Sequence, residues 1–234
     1  MVLDNVKIIG TSHIAPQSLK EVKRAIIETK PHILALELDR GRLNALMSNK
    51  RGRRVPISEI GLKGYIFYLL GSYLQRKIGD KIGIMPGAEM KLAIKMAKKH
   101  RIKVALIDRD IRVTLRRLSQ AIGWREKLNF IVDLIRGVLF GRQELERLGL
   151  STIDLTKVPE EDIIERLIKR VRERYPGAYL ALIEERNQIM ANRIIDLALR
   201  DPDKRILVIV GAGHKQGIEE AIERATSTEL AVAG

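Results

Sequence analysis

Ile206-Leu207-Val208-Ile209-Val210-Gly211-Ala212-Gly213-His214 decides how this chain is read. Five consecutive branched aliphatic residues running into a glycine describe a short strand buried on both faces, the pattern of a parallel-sheet interior. A twin, Val6-Lys7-Ile8-Ile9-Gly10-Thr11-Ser12-His13, stands at the other end of the chain. Two more apolar runs, Ile33 to Glu37 and Val104 to Asp108, read the same way. Between the first two runs a helical pattern begins near Pro16, carries Leu19, Val22, Ala25 and Ile26 on one face, and ends at Lys30-Pro31. That is a βαβ unit. A helix over roughly 88–100 feeds the third run, and another from about Lys215 to Ala225 follows the fourth. The alternation predicts an α/β fold, with a largely parallel or mixed central sheet flanked by helices.

The stretch 111–200 has helical periodicity, with turns near Gly123, from Gly149 to Pro159 and at Pro176-Gly177. It reads as a helical insertion between the third and fourth strands of a single domain, 1–234, whose core is 1–110 and 201–234. All nine aromatics fall between Tyr65 and Tyr179, so the α/β part packs only aliphatic side chains. Aromatics gathered on helical additions either fill a subdomain core or mark a homodimer or membrane-surface patch.

The chain has 43 Lys+Arg against 29 Asp+Glu, a formal charge of +14 that attracts polyanions: nucleic acid, anionic lipid headgroups or acidic peptides. Nucleic-acid binding rests on charge alone, since no helix-turn-helix, zinc-finger or stacking-platform signature accompanies it. The tightest basic cluster, Lys50-Arg51-Gly52-Arg53-Arg54, reads as a solvated loop. Charged residues are plentiful while Asn and Gln number only six each, a balance seen in proteins from hot environments. The absence of cysteine excludes a thiolate nucleophile, a thiolate-held metal and a disulfide scaffold. Any metal must be held by His and carboxylate. Met1 to Gly10 reads as a strand containing Asp4 and Lys7, not as a signal peptide. The longest uncharged stretch, Gly64 to Gln75, falls short of the ~20 residues a membrane helix needs. The expectation is a soluble chain, cytoplasmic or membrane-associated.

Two strand-Gly-x-x-His motifs, with four histidines and 18 glycines in 234 residues, exceed what composition supplies by chance. Ligands of parallel sheets bind beyond the carboxyl ends of strands, where Gly10, Gly211 and Gly213 permit tight turns and close backbone approach. His13 and His214 could therefore converge as a metal half-site. Glu37 ends the second strand at that edge, as a candidate metal ligand or general base, or as half of an ion pair with Arg40 or another arginine. Glu89 stands at a helix N-terminus, either capping it or facing the site. Arg109, Arg112 and Arg116 form a stripe suited to a substrate carboxylate or to neighbouring surface acids. Arg186, in Glu185-Arg186-Asn187, either lines the site or makes an internal ion pair. His32 and His100 lack this context and read as structural or solvent-facing.

These motifs, together with Glu37-Leu38-Asp39-x-x-Arg42, Gly87-Ala88-Glu89-Met90, Asp108-Arg109-Asp110 with Thr114 and Arg117, Met190-Ala191 and Gly211-Ala212-Gly213-His214-Lys215-Gln216-Gly217-Ile218, resemble the TraB/PrgY (pheromone shutdown) family in an archaeal form. The resemblance covers nearly the whole chain. The family is related to the Tiki proteases and more distantly to the erythromycin esterase and ChaN-like group, which implies an α/β core with helical additions. It also implies a peptidase dependent on a divalent ion such as Mn2+, Co2+ or Zn2+, centred on His13, His214 and Glu37 and supported by Glu89 and Arg40. Peptides are the implied substrate class, removed by hydrolysis or by sequestration. Asn187 departs from the Asp expected in many members, and longer members carry membrane helices after this domain.

Overall fold

The computed structural model describes residues 3–12, 16–48, 58–59, 65, 87–133, 136 and 161–233. Four strands, β1 (Val6–Thr11), β2 (Ile33–Leu36), β3 (Lys103–Leu106) and β4 (Ile206–Gly211), form one sheet in the order β1-β4-β2-β3. Among the described residues every pairing is parallel, so the expected α/β fold holds with a parallel rather than a mixed sheet. β4 lies at the centre, which explains its unbroken aliphatic sequence: all six of its residues are buried. The strands of the twin motifs therefore end side by side, with Thr11 paired to Gly211.

Alternation along the strands sorts the core into two layers. Leu34, Leu36, Leu207 and Ile209 point to one face, where they meet Val22, Ala25 and Ile26 of α1 (Pro16–Thr29). The same layer takes Met90, Ala93 and Ala97 of the helix over 88–100. Ile33, Ala35, Ile206, Val208 and Val210 point to the other face, against Met190, Ala191 and Ile194 from one helix and Ile218 and Ala221 from another. α1 ends where expected, with Lys30 in a left-handed conformation (φ 44°) immediately before Pro31, whose ring forbids helical continuation. A short α2 (Arg40–Met47) follows β2, and α3 (Ala88–His100) leads into β3. After β3 come α4 (Ile111–Ala121), a helical stretch over 124–133, α5 (Glu161–Arg174) and a four-residue α6 (Pro176–Tyr179). α6 runs through one π-helical turn, Leu180–Glu184, into α7 (Glu185–Arg200). α8 (Ala212–Ala233) completes the described chain.

Three local boundaries differ from the sequence reading, each for a physical reason. β3 stops at Leu106, short of the expected Asp108, because the Asp108 carboxylate is committed to side-chain partners and to the Arg109 amide, 2.8 Å away. α8 begins directly at Ala212, so His214 sits in the first turn of a helix rather than in a loop. The last part of the stretch expected as an insertion, α7, covers the sheet itself, because Met190, Ala191, Ile194 and Ala198 form an i, i+1, i+4, i+8 apolar stripe. Among the described residues no helix is long and apolar enough to cross a membrane.

Candidate functional site

The carboxyl edge of the sheet gathers polar side chains from every layer. Glu37 follows the last ladder residue of β2, and its amide still donates to Ile209 O at 3.1 Å, which fixes the backbone beside β4. Its Oε2 accepts the Gly211 amide at 2.5 Å, and its Oε1 accepts the Arg186 guanidinium. Glu37 is 4% exposed, so this carboxylate depends on those donors in place of water. Arg186 comes from the first turn of α7. It also donates from Nη2 to Asp108 Oδ2 at 2.7 Å and from Nη1 to Leu182 O in the π-helical turn at 3.0 Å.

His214 closes the cluster. Its Nε2 lies 2.8 Å from Arg186 Nη1 and 3.5 Å from Glu37 Oε1, while Nδ1 lies 2.6 Å from Asn187 Oδ1. A guanidinium can only donate, so Nε2 accepts and Nδ1–H donates to Asn187, which sets the neutral imidazole with its proton on Nδ1. Asn187 thus serves as the orienting partner of His214. An aspartate there would bring a negative charge against Nδ1 of the His214 imidazole. Asn187 in turn fills the space over Gly217 on α8, where an added Cβ would stand 2.2 Å from its Nδ2. Gly10 has a similar role: a Cβ there would approach Ala212 Cα to 3.0 Å, so glycine lets β1 pass the start of α8. Gly213 has ordinary room for a Cβ, and none of Gly10, Gly211 and Gly213 has a positive φ. Of these glycines Gly10 serves close packing, and none of the three serves a strained turn.

Asp108 is the hub that the sequence reading did not single out. Besides Arg186 it receives Arg42, whose Nε and amide bind Asp39, the N-cap of α2, at 2.6 and 3.0 Å. Arg193 Nη1 donates to the Asp108 carbonyl at 2.7 Å. Burial alone would raise the Asp108 pKa, but the Arg186 and Arg42 guanidiniums outweigh it and hold the carboxyl down at about 2. For Arg186 burial works against the charge, and Glu37 and Asp108 together push its pKa up. The signals available in the sequence were the strand-end position of Asp108 and the Asp39-x-x-Arg42 capping spacing.

His13 lies outside the described residues, as does the basic cluster 50–54. Arg40 is the exposed first residue of α2, and the arginine partner of Glu37 is Arg186 instead. Glu89 is buried in the first turn of α3, where the helix dipole favours a carboxylate. The expected arginine stripe divides, because Arg109 precedes α4. Arg109 is buried, bonded to Thr114 Oγ1 (2.9 Å), Glu185 Oε2 (2.7 Å) and Ala181 O (2.5 Å), so it clamps α4 to the π-helical turn. Arg112 and Arg116 are exposed and reach Glu59.

A divalent ion held by His13, His214 and Glu37 can be tested against this donor set. Among the described residues no group of three or more His, Asp or Glu is placed to hold a metal ion. The chemistry of the cluster agrees, for the cation lying against Glu37, Asp108 and His214 Nε2 is the Arg186 guanidinium. The described residues do not by themselves fit a metal.

Comparison with known proteins places this architecture. Residues 4–232 match the TraB/PrgY/gumN family. The chain is 33% identical to the uncharacterized protein MJ1365 of Methanocaldococcus jannaschii, over 94% of this chain and 54% of that protein. It is 24% identical to the TraB domain-containing proteins of Mus musculus and Homo sapiens, over 92% of this chain and 62% of theirs. The chain thus spans little more than half the length of these relatives, and by a match that covers its whole described fold it belongs to the TraB/PrgY/gumN family.

Proposed function

We propose that this chain is a peptidase whose reacting centre is the carboxyl-edge cluster of Glu37, Arg186 and His214. The observation that carries the reading is the 3.5 Å approach of His214 Nε2 to Glu37 Oε1, two buried proton-accepting groups brought together from β2 and α8 at the edge where parallel sheets bind ligands. What supports peptides as the substrate class is the resemblance of the family to the Tiki proteases. In this reading Glu37 takes a proton from water as its oxygen bonds the scissile carbonyl carbon. Once substrate draws Arg186 aside, that proton passes through Nε2 of His214, held by Asn187, to the peptide nitrogen, so that the C–N bond breaks and the products leave as a carboxylic acid and an amine. The Arg186 N–H groups then face the oxygen on which negative charge develops.

None of these steps passes through a metal ion. Requirement for one is a separate outcome of the same experiment. Wild type, Glu37→Gln and the His13→Ala/His214→Ala variant are exposed to Mn2+, Co2+ and Zn2+, desalted, analysed for metal by plasma mass spectrometry, and incubated with a peptide library. The expected result is cleavage by wild type and its loss in both variants with the fold intact by circular dichroism. Metal that is near-stoichiometric in wild type and lost with the histidines assigns the cofactor. Stoichiometric peptide binding without turnover replaces hydrolysis by sequestration, and undiminished cleavage by both variants refutes the assignment.

A further inference from the structure

The helical stretch 124–133 turns three polar side chains toward the protein: Glu126 accepts the amides of Gly123 (2.9 Å), Gly177 (2.9 Å) and Ala178 (3.1 Å). Asn129 Nδ2 donates to Arg174 O at 3.1 Å, and Asp133 binds the Arg174 guanidinium at 2.6 Å and the Tyr175 hydroxyl at 2.5 Å. Four of its apolar side chains face outward. Trp124, Leu128, Ile131 and Val132 are 79%, 61%, 52% and 42% exposed, at the i, i+4, i+7, i+8 spacing of one helical stripe. An apolar stripe led by an exposed tryptophan marks a surface that is covered by something.

The neighbouring surface says what. A cleft of about 540 Å3 runs between this stretch and α5, lined by Asn129, Arg166, Lys169, Arg170, Glu173 and Arg174. Asn129 belongs to both, so stripe and cleft adjoin; of the four cations lining the cleft, Arg174 pairs with Asp133 and Arg166 with Asp162, so Lys169 and Arg170 carry its positive charge. Lys127 adds another cation, 4.1 Å above the Trp124 ring. A basic cleft beside an outward tryptophan and aliphatic stripe is the complement of a bilayer interface with anionic headgroups: the rings and branched chains enter the headgroup boundary while Lys and Arg meet phosphate. Charge argues against a second copy of the chain, since each molecule carries +14 and two such clefts repel. A nucleic acid would use the cations and leave the aliphatic stripe uncovered.

We infer that the surface formed by Trp124, Leu128, Ile131 and the Arg166–Arg170 cleft docks the protein on anionic membranes, independently of the chemistry at the sheet edge. Trp124 is the one tryptophan of the chain and so reports on its own docking. The test titrates the full chain with vesicles of phosphatidylcholine alone or with phosphatidylglycerol, following tryptophan emission, quenching by acyl-chain-brominated lipid, and co-sedimentation. The expected result is a blue shift and quenching only with phosphatidylglycerol, weakened by salt. Lys169→Glu/Arg170→Glu lowers vesicle affinity by at least about tenfold, each lost cation being worth about 1 kcal/mol near an anionic surface. Leu128→Glu/Ile131→Glu abolishes the shift at unchanged circular dichroism. Emission indifferent to phosphatidylglycerol overturns the proposal, as does a shift that appears with protein concentration alone or with a DNA duplex in place of vesicles.

Discussion

Arg186 and Arg112 both pair with an aspartate of the segment Asp108-Arg109-Asp110, two residues apart, and their surroundings have little else in common. Asp110 is the N-cap of α4: it takes the Arg112 amide at 2.8 Å and the Arg112 guanidinium at 2.5 Å, and its side chain is 34% exposed. This is a local device that the sequence alone assembles. Asp108 is buried and joins residues 66 and 78 positions away, Arg42 and Arg186, so only the completed sheet assembles it. Chemically similar pairs thus differ in what they do. An exposed pair ends a helix, whereas a buried one ties α2, β3 and α7 to the edge where Glu37 and His214 meet.

The sharpest way to break this contrast is to remove each arginine in turn. Arg186→Met leaves Glu37 and Asp108 buried without their shared cation and should cost about 3–5 kcal/mol of stability. Arg112→Met should leave the urea midpoint unchanged, because exposed pairs contribute little. Equal midpoints for the two variants would mean that the buried cluster is not a structural keystone.

Acid sharpens the same comparison. The Asp108 pKa lies below its unfolded value, so the stability it contributes is fully present above about pH 4 and is lost as pH falls toward about 2. The loss should be on the order of 2 kcal/mol, and Asp108→Asn should flatten that part of the stability-against-pH curve. A variant curve with the wild-type slope would place the acid sensitivity elsewhere, for instance at Glu185, which Arg117 and Arg109 hold below its usual range despite partial burial.

A smaller effect probes how His214 is held. Gly217→Ala pushes a methyl group into Asn187 Nδ2 and should destabilise the protein by about 1–2 kcal/mol. It should also lower kcat of peptide cleavage more than it raises KM, because the imidazole loses its orienting partner. A change confined to stability would reduce Asn187 to packing.

Much of the fold was legible because parallel strands buried on both faces must be continuously apolar, which is why Ile206 to Val210 stands out and why all four strands were located. Element ends were less legible, since Asp108 and Ala212 depend on partners supplied by distant segments. Within the site, Glu37 and His214 announced themselves through strand-end position and the repeated Gly-x-x-His pattern. Arg186 reads in the sequence as lining the site or making an internal ion pair, without its partners, and Arg40, beside Glu37 in sequence, as one candidate ion-pair partner that the family resemblance also supports. Sequence distance misled there, because the first residue of a helix that leaves the sheet points its side chain to solvent, while a helix lying across the sheet presents Arg186 to the edge. The outward apolar stripe of 124–133 was legible only as an aromatic bias, since facing requires the inward hydrogen bonds of Glu126, Asn129 and Asp133 to be seen.

The most direct test of the central claim, that the buried edge cluster is the reacting centre and the exposed arginines are not, is kcat/KM for peptide cleavage by His214→Ala set beside Arg112→Ala/Arg116→Ala. The account predicts loss of at least about a hundredfold for the histidine variant, the usual contribution of a positioned acid–base group, and wild-type values for the arginine pair. Wild-type cleavage by His214→Ala, or loss confined to the arginine variant, would contradict it.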